Sequence, residues 1–163
     1  MRVTGRALKY GNDINTDLII PGRFLHIYDY DELAECAMAD LDPEFHERFS
    51  KGDIIVAGNN FGCGSSREQA AICLRYAGVG AIVASSFARI FFRNAINQGI
   101  PIIEADTTGI STGDSLEVDL GSGMVRNLTT NTDVAGKQIP EFLIQLIEAG
   151  GLIPFVQRND DGN

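Results

Sequence analysis

Residues 59–69 read Asn-Asn-Phe-Gly-Cys-Gly-Ser-Ser-Arg-Glu-Gln and join a short apolar run to a stretch of helical periodicity. Gly62 and Gly64 permit positive φ and let a ligand approach the main chain, while the first N–H groups of the helix that follows favour an anion. Arg67 adds a planar fork that matches a carboxylate. Ser65 with Glu68, or Ser66 with Gln69, has the S-x-x-E/Q spacing of a capping box. One serine suffices as a cap. The other hydroxyl is then free to face the loop mouth, where a helix N-terminus and an arginine lower the cost of an alkoxide that can act as a base. The plain alternative is that both serines only cap. Nucleotide binding fits poorly, because the Lys of a phosphate loop is missing and Arg67 stands where a dinucleotide fingerprint has its third glycine.

Val3 to Leu8 reads as an opening strand, followed by a polar loop through Asp17. Asp29 and Glu32 form a capping-box start for a helix over about residues 30–40, and Asp42-Pro43 starts a second short helix with Phe45 and Phe49 on one face. Asp53 to Ala57 is a buried strand, residues 66–77 a helix stopped by Gly78, and Val79 to Ala84 another buried strand. Ser85-Ser86 cap the next helix, which carries Phe87, Ile90, Phe91 and Ala95 and leads to a strand at Ile100 to Ile103. Asp106 to Asp114 reads as a linker. Leu116 to Leu120 and Met124 to Leu128 form an antiparallel hairpin, and a last amphipathic helix runs from Ile139-Pro140 to Gly150-Gly151. The fold class is α/β, in one domain over residues 1–163, with antiparallel later strands.

The net charge of −9 and the lack of a basic run argue against nucleic-acid binding. A small carboxylate is compatible with it, since a few placed arginines set the local potential. Polar residues follow Met1 closely and no apolar stretch reaches the roughly 20 residues of a membrane span, so a cytoplasmic protein is expected. Three cysteines, Cys36, Cys63 and Cys73, lack paired metal-ligand spacing, so three thiols and no metal site are expected. Cys63 sits where a helix N-terminus can lower a thiol pKa, although simple packing explains it equally well.

Three segments in order carry a resemblance: Asp13-Ile14-Asn15-Thr16-Asp17 with Ile20-Pro21-Gly22-Arg23, Phe61 to Glu68, and Ser86-Phe87-Ala88-Arg89-Ile90-Phe91. Over most of its length the chain resembles the small subunits of isopropylmalate dehydratase and homoaconitase, equivalent to the swivelling domain of aconitase. The resemblance implies a swivelling β/β/α fold, a mixed sheet with flanking helices. It implies a hydro-lyase of leucine biosynthesis that isomerises 2- and 3-isopropylmalate by dehydration and rehydration. In that family the base matches Ser65, the carboxylate-gripping arginine matches Arg67, and Ser66 assists binding or caps. The family's four-iron four-sulfur cluster belongs to a large subunit, so the resemblance implies a hetero-oligomer active only with that partner and no cofactor in this chain.

Substrate choice in the family is attributed to the loop that here reads Phe24-Leu25-His26-Ile27-Tyr28. This sequence matches neither the Tyr-Leu-Arg-Thr of homoaconitase types nor the Tyr-Leu-Val-Tyr of archaeal isopropylmalate types. An arginine there would pair with an extra carboxylate, whereas Ile27 suits a branched alkyl group. The expectation is therefore 3-isopropylmalate, ahead of homoaconitase-type acids or dimethylmalate, with His26 either touching substrate or lying free at the surface. A non-catalytic anion-binding module is the alternative of a different class. Arg89 and Arg93, one turn apart, read as a solvated helix face and stay outside the candidate set.

Overall fold

The computed structural model describes residues 1–162. These form strands β1 (Arg2–Lys9), β2 (Ile54–Ala57), β3 (Ala81–Ala84), β4 (Ile102–Glu104), β5 (Ser115–Asp119), β6 (Met124–Asn127) and β7 (Thr132–Ala135). They make one sheet in the order β4-β3-β2-β1-β5-β6-β7. β1 to β4 pair in parallel, while β5 joins β1 antiparallel and the remaining pairings are antiparallel hairpins. Composition accounts for the division. β2 and β3 read IIVA and AIVA and are buried at every position, as a parallel sheet covered on both faces requires. β5 reads SLEVD, burying Leu116 and Val118 and leaving the residues between them partly exposed.

Helices α1 (Thr16–Ile19), α2 (Tyr30–Glu35) and α3 (Phe45–Arg48) lie between β1 and β2. α4 (Glu68–Ala77) and α5 (Arg89–Asn97) are the next two crossovers, and α6 (Glu141–Glu148) and α7 (Leu152–Asp160) follow β7. α4 packs between α2 and α5, and α5 also meets α6. The sheet curls until its outer strands approach one another, where Lys137 N just past β7 donates to Glu104 O at the end of β4 (2.8 Å).

Several expectations change. Asp29 does cap α2, accepting from the N–H groups of Asp31 and Glu32, but the helix stops at Glu35 instead of near residue 40. The chain continues in turns so that Met38, at φ 62°, donates its N–H to Ile19 O and enters the core. Asp42 does not cap α3. Its carboxylate instead accepts from Tyr10 Oη (2.7 Å) and Arg48 Nη1 (2.9 Å), although Phe45 and Phe49 do stack, with centroids 4.8 Å apart. Burial, reinforced by that carboxylate, pushes the Tyr10 phenol pKa up. β7 and α7 have no counterpart in the sequence reading, because three of the four β7 residues are exposed and α7 has no buried residue.

The expected linker at residues 106–114 is a fixed corner. Thr107 is buried and donates from Oγ1 to Ala57 O (2.8 Å). Asp114 is buried, accepting from Ser111 N (2.9 Å) and from Asn127 Nδ2 (2.8 Å). These two donors hold the Asp114 carboxyl below its ordinary value, the Ser111 N–H foremost. A carboxyl depressed in the folded state contributes stability above the unfolded pKa of about 3.9 and loses it as pH falls through the lower folded value. Unfolding in urea at pH 3 to 7 is expected to show this loss for the wild type. In Asp114→Asn that part of the pH dependence should be flatter.

Candidate active site

The site is assembled from the loops after β1, β2 and β3, at the carboxyl ends of parallel strands, where ligands of open α/β sheets bind. On one side of the middle loop, Gly62 N donates to Ile14 O (2.7 Å) and Thr16 N to Cys63 O (2.9 Å), so that Asn15 and Cys63 form a parallel bridge. On the other side, Phe61 N donates to Ser86 O (3.0 Å) and Ala88 N to Phe61 O (2.9 Å). Gly62 makes the fit possible. Its φ is +83°, and a Cβ there would lie 2.2 Å from Phe91 Cγ and 2.3 Å from Phe91 Cβ.

α4 begins at Glu68 with Arg67 at the N-cap position and no side-chain cap. Neither Ser65 nor Ser66 is therefore the cap that the S-x-x-E/Q spacing suggests. Arg67 is extended (φ −126°, ψ 111°), which sets both serines outside the helix. Both are exposed, and among the described residues neither hydroxyl makes a hydrogen bond. Ser65 is instead fixed through its main chain, its carbonyl accepting from Thr16 Oγ1 (2.8 Å). The same correction applies to Ser85 and Ser86, because α5 starts at Arg89 after Ala88. Ser86 Oγ accepts from Asn60 N (2.8 Å), and Ser85 Oγ pairs with Thr107 Oγ1 (3.2 Å).

Arg67 folds back over the first loop. Its Nη1 donates to Ile20 O (3.1 Å) and is ion-paired with Asp17, leaving the side chain 18% exposed. A cavity of about 180 Å³ opens here, and Thr16, Ser65, Ser66 and Arg67 line it together with Arg89 and Asn94 of α5. The volume is below the roughly 300–1,000 Å³ of drug-sized ligand pockets. The fold thus brings Ser65, Ser66 and Arg67 together as expected and adds Thr16, Arg89 and Asn94. Thr16 and Arg89 lie in the outer two of the three motifs, the available signal. Asn94 carries no such mark.

The Phe24 to Tyr28 loop does not line this cavity. Gly22–Phe24 form a 3-10 turn in which the Arg23 guanidinium lies 4.4 Å from the centre of the Phe24 ring and grips both oxygens of Asp40. Phe24, Leu25 and Ile27 pack on the core, whereas His26 and Tyr28 are exposed. The turn does reach Arg67, since a Cβ on Gly22 would lie 3.7 Å from Arg67 Nη2.

Cys73 is buried, and burial pushes its thiol pKa up; burial also raises that of Cys36. Among the described residues no group of three or more His, Cys, Asp or Glu side chains could hold a metal ion, so these residues do not fit an iron-sulfur cluster carried by this chain. Among them, too, no helix is long and apolar enough to cross a membrane.

Residues 10–107, from the loop after β1 to the corner after β4, match the family described as the aconitase C-terminal domain. Over 162 residues the chain is 51% identical to 3-isopropylmalate dehydratase small subunit 2 of Archaeoglobus fulgidus, covering 99% of this chain and 98% of the relative. The chain belongs to this family of dehydratase small subunits. Isopropylmalate/citramalate isomerase small subunit of Methanocaldococcus jannaschii is 47% identical over 158 residues, 96% of this chain and 94% of the relative. A crystal structure of 3-isopropylmalate dehydratase from the same organism superposes with a TM-score of 0.93 at 44% identity, covering 98% of this chain and 96% of that one. The small-subunit fold implied by the three motifs is thus the one observed: a mixed, curled sheet with flanking helices.

Gly62→Ala combines a left-handed backbone with a contact to the root of the Phe91 side chain, which cannot swing clear. Left-handed strain and overpacking together cost roughly 2–5 kcal/mol. Denaturant unfolding should register a loss of that size.

Proposed function

We propose that this chain is the small subunit of a 3-isopropylmalate dehydratase and contributes Ser65 as the base and Arg67 as a carboxylate anchor to a site completed by a large subunit. The observation that carries this reading is the pair of exposed, unbonded serine hydroxyls beside Arg67 in one small cavity. A capping serine has its oxygen occupied, whereas these are free to exchange a proton.

In the dehydration step Ser65 Oγ, as alkoxide, takes the proton from the carbon next to the one that bears the hydroxyl. The C–H electron pair becomes the second bond between the two carbons, the C–O bond breaks, and the departing hydroxide takes a proton from solvent to leave as water. Rehydration runs the same steps backwards with the positions exchanged, Ser65 returning its proton to carbon. Arg67 holds a carboxylate through two parallel N–H bonds while Asp17 and the Ile20 carbonyl keep its fork oriented. Thr16, bonded to the Ser65 carbonyl, limits the swing of the serine. The four-iron four-sulfur cluster, which the family resemblance assigns to the large subunit, would supply a Lewis acid for the leaving hydroxyl.

Ser66 assists substrate binding in this reading. The Phe24, Leu25, His26, Ile27 and Tyr28 loop meets the substrate side chain once the large subunit is in place. Its apolar Ile27 and its lack of an arginine favour an isopropyl group over a third carboxylate. The location proposed is cytoplasmic.

Reconstitution with a cluster-bearing large subunit, assayed on 3-isopropylmalate, citramalate and homoaconitate, tests the assignment. Turnover of 3-isopropylmalate with the highest kcat/KM is expected. A chain that binds anions but forms no complex on size exclusion would instead be a stand-alone module. Ser65→Ala should lower kcat by about 100-fold or more, the usual contribution of a positioned base. Wild-type turnover by that variant would remove Ser65 from the mechanism.

A further inference from the structure

Arg89 belongs to the third motif, and its position in the fold separates it from Arg93. It is the first residue of α5, and the main-chain bonds between Phe61 and the Ser86 to Ala88 segment carry it to the serine loop. It lines the 180 Å³ cavity with Ser65 and Arg67. It also lines a separate cleft of about 550 Å³ that contains Arg93, Glu104 and Lys137. Arg93 lines only the larger cleft. Periodicity alone puts both arginines on one helix face, but the cavity receives only the first.

The cations differ in what already neutralises them. Arg67 has Asp17 as its counter-charge and Ile20 O as a further acceptor. Lys137 lies 3.9 Å from Glu104. Among the described residues Arg89 makes no salt bridge, and its guanidinium makes no hydrogen bond. The cavity therefore holds one cation with a carboxylate partner and one without. A malate-type acid brings two carboxylates. Arg67 can take one, and the other gains most from a charged donor of its own that has no carboxylate partner already.

We propose that Arg89 is a second carboxylate anchor, binding the substrate carboxylate that Arg67 does not hold. This rests on the reading of function given above. Asn94, five residues further along α5, lines the same cavity. The two anchors stand on different elements, so a diacid held by both would bridge the serine loop and α5. That arrangement fixes the substrate carbons relative to Ser65 and selects dicarboxylates over monocarboxylates.

The test uses the reconstituted complex and three variants, Arg89→Ala, Arg89→Lys and Arg93→Ala. For Arg89→Ala the expected result is a rise in KM for isopropylmalate of about 10- to 100-fold, the loss of one charged hydrogen-bonded contact. kcat should change much less, and affinity for the large subunit should be unchanged on titration. Arg89→Lys should recover part of the KM loss, and Arg93→Ala should keep the wild-type KM. As competitive inhibitors, isopropylsuccinate should bind the wild type more tightly than 4-methylpentanoate, and this preference should shrink in Arg89→Ala. A wild-type KM and an unchanged inhibitor preference in Arg89→Ala would overturn the inference. Weakened association with the large subunit at constant KM would also overturn it, placing Arg89 in the subunit interface. No turnover by the wild-type complex on any acid would overturn the underlying reading of function instead.

Discussion

The Gly62 main chain lies against the Phe91 ring, and this close approach lets the loop after β2 run between its two neighbours. Gly62 then reaches Ile14 with its N–H, and Phe61 reaches Ser86 and Ala88. Each bond satisfies a polar group that no regular element would satisfy so near the end of a strand. Among the described residues no buried side-chain nitrogen or oxygen lacks a partner. The three motif segments are therefore one object. A shift in the middle loop would unpair donors on both sides, which is why side chains from three separate stretches of sequence share one small cavity.

Charge is distributed to the same end. The chain carries a formal charge of −9, yet many of its carboxylates are occupied internally: Asp17 by Arg67, Asp40 by Arg23, Asp42 by Arg48 and Asp53 by Arg6. Local potential at the cavity follows from Arg89, which has no carboxylate partner among the described residues, and from the first N–H groups of α4, which have no side-chain cap. An acidic protein can thus present a cationic recess.

The sequence was most informative where one local rule decides the outcome. β2 and β3 announce themselves as unbroken apolar runs of strand length, and Asp29 caps α2 as its spacing predicts. It was least informative where tertiary bonds compete with local ones. The spacing of Ser65 and Ser66 from Glu68 and Gln69 is that of a capping box, but the bond from Thr16 to the Ser65 carbonyl and the extended Arg67 set the helix start further along. Arg89 and Arg93 are indistinguishable by period, since the wall between the two hollows exists only once α5 has docked. β7 left no trace because it is mostly exposed and so carries no alternation to read. The extent of α2 was overestimated for the opposite reason: Ala37 and Met38 are buried, as the helical spacing suggested, but in turns.

The outer strands of the sheet are short, three residues in β4 and four in β7, and the bond from Lys137 to Glu104 ties their ends together. Little unpaired main chain is left at either border for a neighbour to extend the ladder. Strand addition, which accepts almost any extended segment, therefore finds a poor template at these short, tied borders.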